Sequence, residues 1–158
     1  MTIRHGDGFA RCSDGHVRWG HFGAAGALFV VREPSGPLVM LQQRSTFAHE
    51  GGTWSIPGGA LDEGEPPLDG ALREADEEVG SPAGPTRLLG SYVFAPADDW
   101  SYTTVVIEVG ERFGAALNFE TASVDWVSPD DVEARPLHAG FAAAWPHLRA
   151  IVDAACAP

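Results

Sequence analysis

Glu65, Arg73, Glu74, Glu77 and Glu78 fall in one short stretch closed by Gly59 and Gly80, and their spacing leaves few ways to fold it. The spacing predicts a helix from about Pro67 to Val79. Proline is tolerated in a first turn, and Gly80 followed by Pro82 is a stop signal. Each helical residue advances about 100°. With Glu74 at zero, Glu78 lies near +40°, Glu77 near −60° and Arg73 near −100°, all rough wheel positions. Leu68, Ala71, Leu72, Ala75 and Val79 fall between roughly +60° and +160°. One face is therefore apolar and faces a core, while another carries three carboxylates side by side.

That acidic face works against the helix. Glu74 and Glu78 form a like-charged i,i+4 pair, which destabilises by a few tenths of a kcal/mol. Glu77 and Glu78 also stand in the last turn, where the helix dipole favours cations. A divalent metal would reverse both effects, since hard cations take carboxylate oxygens and keep positions free for phosphate. A solvated acidic surface is the commoner fate of such a face, but it explains neither the flanking glycines nor the arginine.

The frame G-x5-E-x7-R-E-U-x-E-E-x-G-U, with U a bulky aliphatic, resembles the signature of the Nudix hydrolases. Gly59, Glu65, Arg73, Glu74, Glu77, Glu78 and Gly80 match it. Ser81 stands at the last U and the small Ala75 at the first, departures that touch packing rather than chemistry. The resemblance implies the Nudix fold, an α-β-α sandwich with a mixed β-sheet. It also implies metal-dependent cleavage of a pyrophosphate bond in a nucleoside diphosphate linked to another moiety. The cofactor implied is Mg²⁺, with Mn²⁺ as a substitute. Glu74 and Glu78 are the primary metal ligands so implied, with Glu77 a further one and the Gly58 carbonyl a backbone ligand. In the family the arginine matching Arg73 orients a glutamate of the cluster, and Glu65 pairs with it. The general base is the glutamate matching Glu74 in some relatives and comes from a loop outside the box in others. Glu120, before Trp126, is the candidate for that outside carboxylate, with an ordinary surface residue as the equal alternative.

A non-catalytic nucleotide-sensing module on the same fold is the competing reading. Such modules lose box glutamates, and this chain keeps them. An isopentenyl diphosphate isomerase would need an active-site cysteine, and Cys12 and Cys156 lie far from the box in sequence.

The rest of the chain agrees. Its 158 residues, 44% hydrophobic, suffice for one globular domain with a proper core. The expected division is an N-terminal extension over 1–20 and a single Nudix domain over 21–158. Ala25–Arg32 and Leu38–Arg44 read as a hairpin around a Glu33–Pro37 turn. Arg87–Ala95, Tyr102–Val109 and Ser123–Val127 read as further strands, Pro129–Val132 as a helical turn, and Phe141–Ala155 as a closing amphipathic helix. Strands packed between helices give an α/β (α+β) class without reference to the family.

Substrate choice must lie outside the box. The Gly51–Gly59 segment resembles the approach to the box in MutT-like, nucleotide-cleaving members. Arg44, at a strand end, could reach a phosphate. Trp100, in a polar loop beside Asp98 and Asp99, is a stacking candidate for a base. Trp54, Tyr102 and Trp126 read as interior residues. His5, His16, His21, His138 and His147 show no ligand spacing, His49 is expected at the cleft mouth, and none of the six is expected in catalysis. Candidate substrates span nucleoside triphosphates, oxidised ones included, dinucleoside polyphosphates, sugar nucleotides and ADP-ribose, which Pro96 keeps open.

A formal charge of −12, with ten arginines spread from Arg4 to Arg149, speaks against polymeric nucleic acid and anionic membrane surfaces as partners. The expected partner is a small nucleotide-like diphosphate, with a homodimer left open. No apolar run reaches the roughly 20 residues of a membrane span, and residues 1–20 are too polar for a leader, so a cytoplasmic location is expected.

Overall fold

The computed structural model describes residues 2–158. In chain order the elements are β1 (Phe9–Arg11), β2 (Val17–Trp19), β3 (Ala24–Glu33), β4 (Gly36–Arg44), β5 (Trp54–Ser55), β6 (Gly58–Ala60), α1 (Pro67–Glu78), β7 (Thr86–Ala97), β8 (Trp100–Val109), β9 (Thr121–Val127), a 3₁₀ turn (Pro129–Ala134) and α2 (Ala139–Ala155). Strands β3 to β9 form one seven-stranded sheet, while β1 and β2 make a separate hairpin. Among the described residues no helix is long and apolar enough to cross a membrane.

Central strand β3 explains its own apolar run. Side chains alternate between the two faces of a strand, and both faces of β3 are covered. Ala25, Ala27, Phe29 and Val31 join Ala71, Ala75 and Val79 of α1 in one core. Leu28 and Val30 join Phe141, Trp145, Leu148 and Val152 of α2 in the other. The result is an α-β-α sandwich. The sheet is mixed, because β3 runs parallel to β8 while its other pairings are antiparallel.

One edge of β3 is shared between two partners. Its C-terminal part, Val30–Glu33, pairs with β4, and its N-terminal part, Ala24–Gly26, pairs with β6. Beyond Val39, β4 leaves β3 and runs on between β9 and β5. The divergence brings β4, β6 and the C-terminal end of α1 together.

Helix α1 follows the spacing of its residues, with one correction. It starts on Pro67 and is closed by Gly80, whose φ of +99° suits glycine. Ala71, Ala75 and Val79 are buried, Leu68 and Leu72 only partly. Glu78, expected on the exposed acidic face, is 7% exposed. Its wheel position borders the apolar arc, and the loop before β9 closes over it. Ala115 N–H donates to Val79 O at 3.1 Å and Leu117 N–H to Glu78 O at 3.0 Å, satisfying carbonyls that a helix end leaves free.

The segment before residue 21 is tied to the rest of the chain. Ser13 N–H donates to Asp99 Oδ1 at 2.8 Å and Gly6 N–H to Asp62 Oδ1 at 3.2 Å, so this segment packs on the β7–β8 hairpin and on the loop before α1.

Candidate active site

Arg73 is the hub of the acidic cluster. Its Nε donates to Glu65 Oε2 at 2.9 Å and its Nη2 to Glu65 Oε1 at 2.8 Å, a two-bond fork. Nη1 donates to Glu74 Oε1 at 2.9 Å and Nη2 also to Ala60 O at 3.0 Å. Glu65 accepts one more bond, from Asp62 N–H at 3.1 Å. Its bonds with Arg73 hold the Glu65 carboxyl below the usual range. Glu74 touches the same guanidinium yet shifts upward, because burial outweighs Arg73 and the charges of Glu77 and Asp7 add to it.

Glu78 lies deeper. Gly58 N–H donates to its Oε2 at 2.8 Å, and Gln42 Nε2 reaches its Oε1 at 3.4 Å. Burial pushes its carboxyl up to about 8; these two hydrogen bonds oppose the rise, and the charges of Glu74 and Glu120 add to it. Among the described residues no basic side chain pairs with Glu78, so this buried carboxylate has no counter-charge from the protein.

Two glycines allow the close approach. A Cβ on Gly59 would stand 2.6 Å from Glu74 Cδ, and one on Gly58 would stand 2.6 Å from both Ala25 O and Tyr102 Oη. Tyr102 therefore points its hydroxyl at the β3–β6 contact beside the cluster. Burial raises its pKa above the ordinary value, and the Glu78 charge adds to the rise.

The remaining expected residues are placed as follows. Glu77 is exposed, its nearest basic atom being Arg73 Nη1 at 3.9 Å. Glu120 is exposed on the loop before β9, where its carbonyl accepts from Ser45 N–H at 2.8 Å, and its charge reaches Glu78. Arg44, at the end of β4, donates from Nε to His49 O at 2.6 Å. Trp100 stands apart from the cluster's contacts. Its Nε1 donates to Trp19 O at 3.3 Å and the Arg18 guanidinium sits 5.3 Å from its ring centroid, so the N-terminal hairpin engages it.

Sequence reasoning missed Asp7, Gln42, Thr121 and the site-facing hydroxyl of Tyr102. None lies in the box, and no spacing links them to it. The topology alone brings them there.

A second group, His49, Glu50 and His138, gathers its side-chain ligand atoms within 4.8 Å of one another. Its hydrogen bonds favour a junction over a metal site. His138 Nδ1 accepts from Gly140 N–H at 3.1 Å, capping α2, which leaves Nε2 carrying the proton toward Glu50 Oε2 at 2.9 Å. That nitrogen has no lone pair to offer an ion.

The box residues match a metal by chemistry rather than as a closed cluster. Glu74, Glu77 and Glu78 offer only oxygen, the set that suits hard divalent cations, while their side-chain oxygens do not all lie within 4.8 Å of one another. Glu78 in particular is a buried carboxyl lacking a basic partner, so its ionised form is costly unless a cation joins it.

The NUDIX domain family matches residues 21–148. A Mycobacterium tuberculosis protein described as putative 8-oxo-dGTP diphosphatase 3 is 43% identical over 150 residues, 91% of this chain and 69% of that protein. A nucleoside triphosphate pyrophosphatase/Nudix hydrolase fusion protein of Bifidobacterium longum is 39% identical over 94% of this chain, which spans 32% of its length. The crystal structure of a Nudix hydrolase from M. smegmatis, RenU, superposes with a TM-score of 0.85 at 39% identity, covering 97% of this chain and 98% of that one.

Proposed function

This chain belongs to the Nudix family of pyrophosphate-bond hydrolases, and from that premise we propose that it cleaves a nucleoside triphosphate or nucleotide derivative with a divalent metal, Mg²⁺ foremost. The observation that carries the metal dependence is Glu78, a buried carboxylate without a basic partner beside Glu74. The relative described as an 8-oxo-dGTP diphosphatase favours an oxidised purine nucleotide as the first substrate to test.

In this reading Glu74 and Glu78 hold the cation, with Glu77 and the Gly58 carbonyl as further ligands. A cation bound there supplies positive charge to the phosphates and acidifies water. Arg73 fixes Glu74 by its Nη1 while Glu65 fixes Arg73, so the carboxylate keeps one orientation. Gly58 N–H fixes Glu78 in the same way from the other side. Glu74 is the first candidate to take a proton from attacking water in this reading, since Arg73 fixes its carboxylate beside the site. Glu120 is the alternative base in this reading, an exposed loop carboxylate whose charge is felt at Glu78.

Arg44 is the phosphate-facing cation in this reading. The nucleobase has apolar surface to rest on at Phe47 and Phe119, 90% and 79% exposed on two turns joined by the Ser45 N–H to Glu120 O bond. The test is turnover of a nucleotide panel, 8-oxo-dGTP, dGTP, ADP-ribose and a dinucleoside polyphosphate, with Mg²⁺ and with chelator. Metal-dependent cleavage supports the reading. Binding without cleavage of any compound replaces it with a nucleotide sensor.

A further inference from the structure

Gln42 on β4 is 2% exposed and faces the cluster. Its Nε2 donates to Thr121 Oγ1 at 2.8 Å and reaches Glu78 Oε1 at 3.4 Å. Its Oε1 is buried without a partner. A primary amide has two N–H donors on its nitrogen and two lone pairs on its oxygen. Here both donors are directed to one side and the acceptor is left unsatisfied, an arrangement that lowers stability. Turning the amide over would set its oxygen against the Glu78 oxygen, lone pair to lone pair whenever Glu78 is ionised, as it must be to hold a cation. The orientation found therefore suits an ionised Glu78.

The sheet is built to hold it. Gln42 pairs with Val124 of β9 and Ser55 of β5, so its backbone is fixed on both sides. Between Gln43 and Arg44 the register with β9 shifts, and Arg44 stands opposite Thr121. Without that shift Arg44 would face Ala122, which has no hydroxyl. The irregularity thus puts Thr121, 5% exposed, on the strand face it shares with Gln42. Bulges beside functional sites commonly re-aim a side chain in this way.

We propose that Gln42 is a positioning residue for the hydrolysis: anchored by Thr121 across the β9 irregularity, its amide nitrogen holds the Glu78 carboxylate in the orientation that takes a divalent cation. Gly58 N–H takes one oxygen of Glu78 and Gln42 the other, so the carboxylate cannot rotate without losing a bond. The proposal rests on the metal-dependent reading above and assigns a role that the box does not contain.

The experiment measures Mn²⁺ affinity by the loss of the free-ion EPR signal, without nucleotide, in the parent protein, Gln42→Met, Thr121→Val and Thr121→Ser. Melting curves establish that each is folded, and kcat and KM are taken at low and saturating metal. Partners behind metal ligands typically change affinity about 10- to 100-fold. We expect Gln42→Met to weaken Mn²⁺ binding about 10-fold, at the low end of that range. Its kcat should fall at low metal and recover at high metal, with an unchanged nucleotide KM. Thr121→Val should shift affinity in the same direction and Thr121→Ser should restore it. A merely structural role would move the melting curve without this recovery. If Gln42→Met fails to fold, Thr121→Val carries the test, since it leaves Gln42 in place. Parent affinity with unaffected folded variants overturns this proposal alone. A parent protein without Mn²⁺ affinity overturns the metal-dependent reading and the proposal with it.

Discussion

Arg73 and Glu65 meet in a planar two-bond fork, Nε to Oε2 at 2.9 Å and Nη2 to Oε1 at 2.8 Å, while the outer nitrogens of the same guanidinium also reach Glu74 and Ala60 O. One side chain thus ties the loop before α1, strand β6 and a candidate metal ligand together. Lysine keeps the charge but has one nitrogen and no fork. We expect Arg73→Lys to lower turnover about 10- to 100-fold, as for the loss of other residues that orient metal ligands. Assays across a metal titration check this; turnover within twofold of the parent would remove Arg73 from the site.

Glu78 should behave as a buried charge rather than a surface one. Its folded pKa, about 8, lies above the ordinary 4.5, so without metal its contribution to folding is whole below about pH 4.5 and is lost progressively as pH rises through 8. The loss is bounded above by about 5 kcal/mol, from about 1.4 kcal/mol per pKa unit. Glu78→Gln should therefore melt higher than the parent in chelator at pH 8.5. It should also lose the melting-point gain on adding Mg²⁺ and at least about a hundredfold in activity. A variant that melts lower than the parent in chelator would mean that the charge is already compensated.

Much of this architecture is legible in the chain. The period of Ala71, Ala75 and Val79 gives the buried stripe of α1, and the unbroken apolar run of β3 reflects its two covered faces. Arg73 and Glu74 stand together because their spacing is a local, helical quantity, and Glu65 joins them from the loop just before α1. What is not legible comes from chain crossings. The burial of Glu78 depends on the loop whose Ala115 and Leu117 bond to the end of α1. Gln42 and Thr121 meet through strand pairing and a one-residue shift, which no periodicity records. Trp100 looks exposed beside two aspartates, but the hairpin that engages it, two strands of three residues each, is too brief to read as strands. Strands β5 and β6, of two and three residues, likewise disappear into the glycine-rich loop.

Gly59 offers a test of close approach. An alanine there would put its Cβ 2.6 Å from Glu74 Cδ, well inside contact distance, although the backbone conformation needs no glycine. The carboxylate is the part that can yield, and moving it breaks its bond to Arg73 Nη1. We expect Gly59→Ala to fold with a stability change of about 1 kcal/mol or less, as for a compatible glycine substitution, and to lose roughly tenfold or more in turnover. Gly110→Ala, with open space around its Cβ, is the control and should match the parent. Equal turnover in both variants would mean that the Glu74 position does not matter to the reaction.

The His138 cap makes the fold acid-sensitive. Burial depresses the His138 pKa below 6.5, opposed by the Glu50 carboxylate and reinforced by the charges of Arg44 and His49. A depressed imidazole is neutral in the fold and protonates more readily when unfolded. Its contribution is therefore whole above pH 6.5 and is lost as pH falls through 6.5 toward the depressed value. The structural reason is Nδ1, which accepts from Gly140 N–H and can do so only while unprotonated. Losing a helix cap costs about 1 kcal/mol, which in a chain of this size is about 2–4 °C in Tm. His138→Asn keeps a capping acceptor that does not titrate. We expect the Tm drop between pH 7.5 and pH 5 to be smaller in that variant by about 2–4 °C, with changes from other groups common to both proteins cancelling in the difference. Parallel melting curves in one buffer series check this, and equal drops would mean that the cap survives protonation or that Glu50 alone holds the junction.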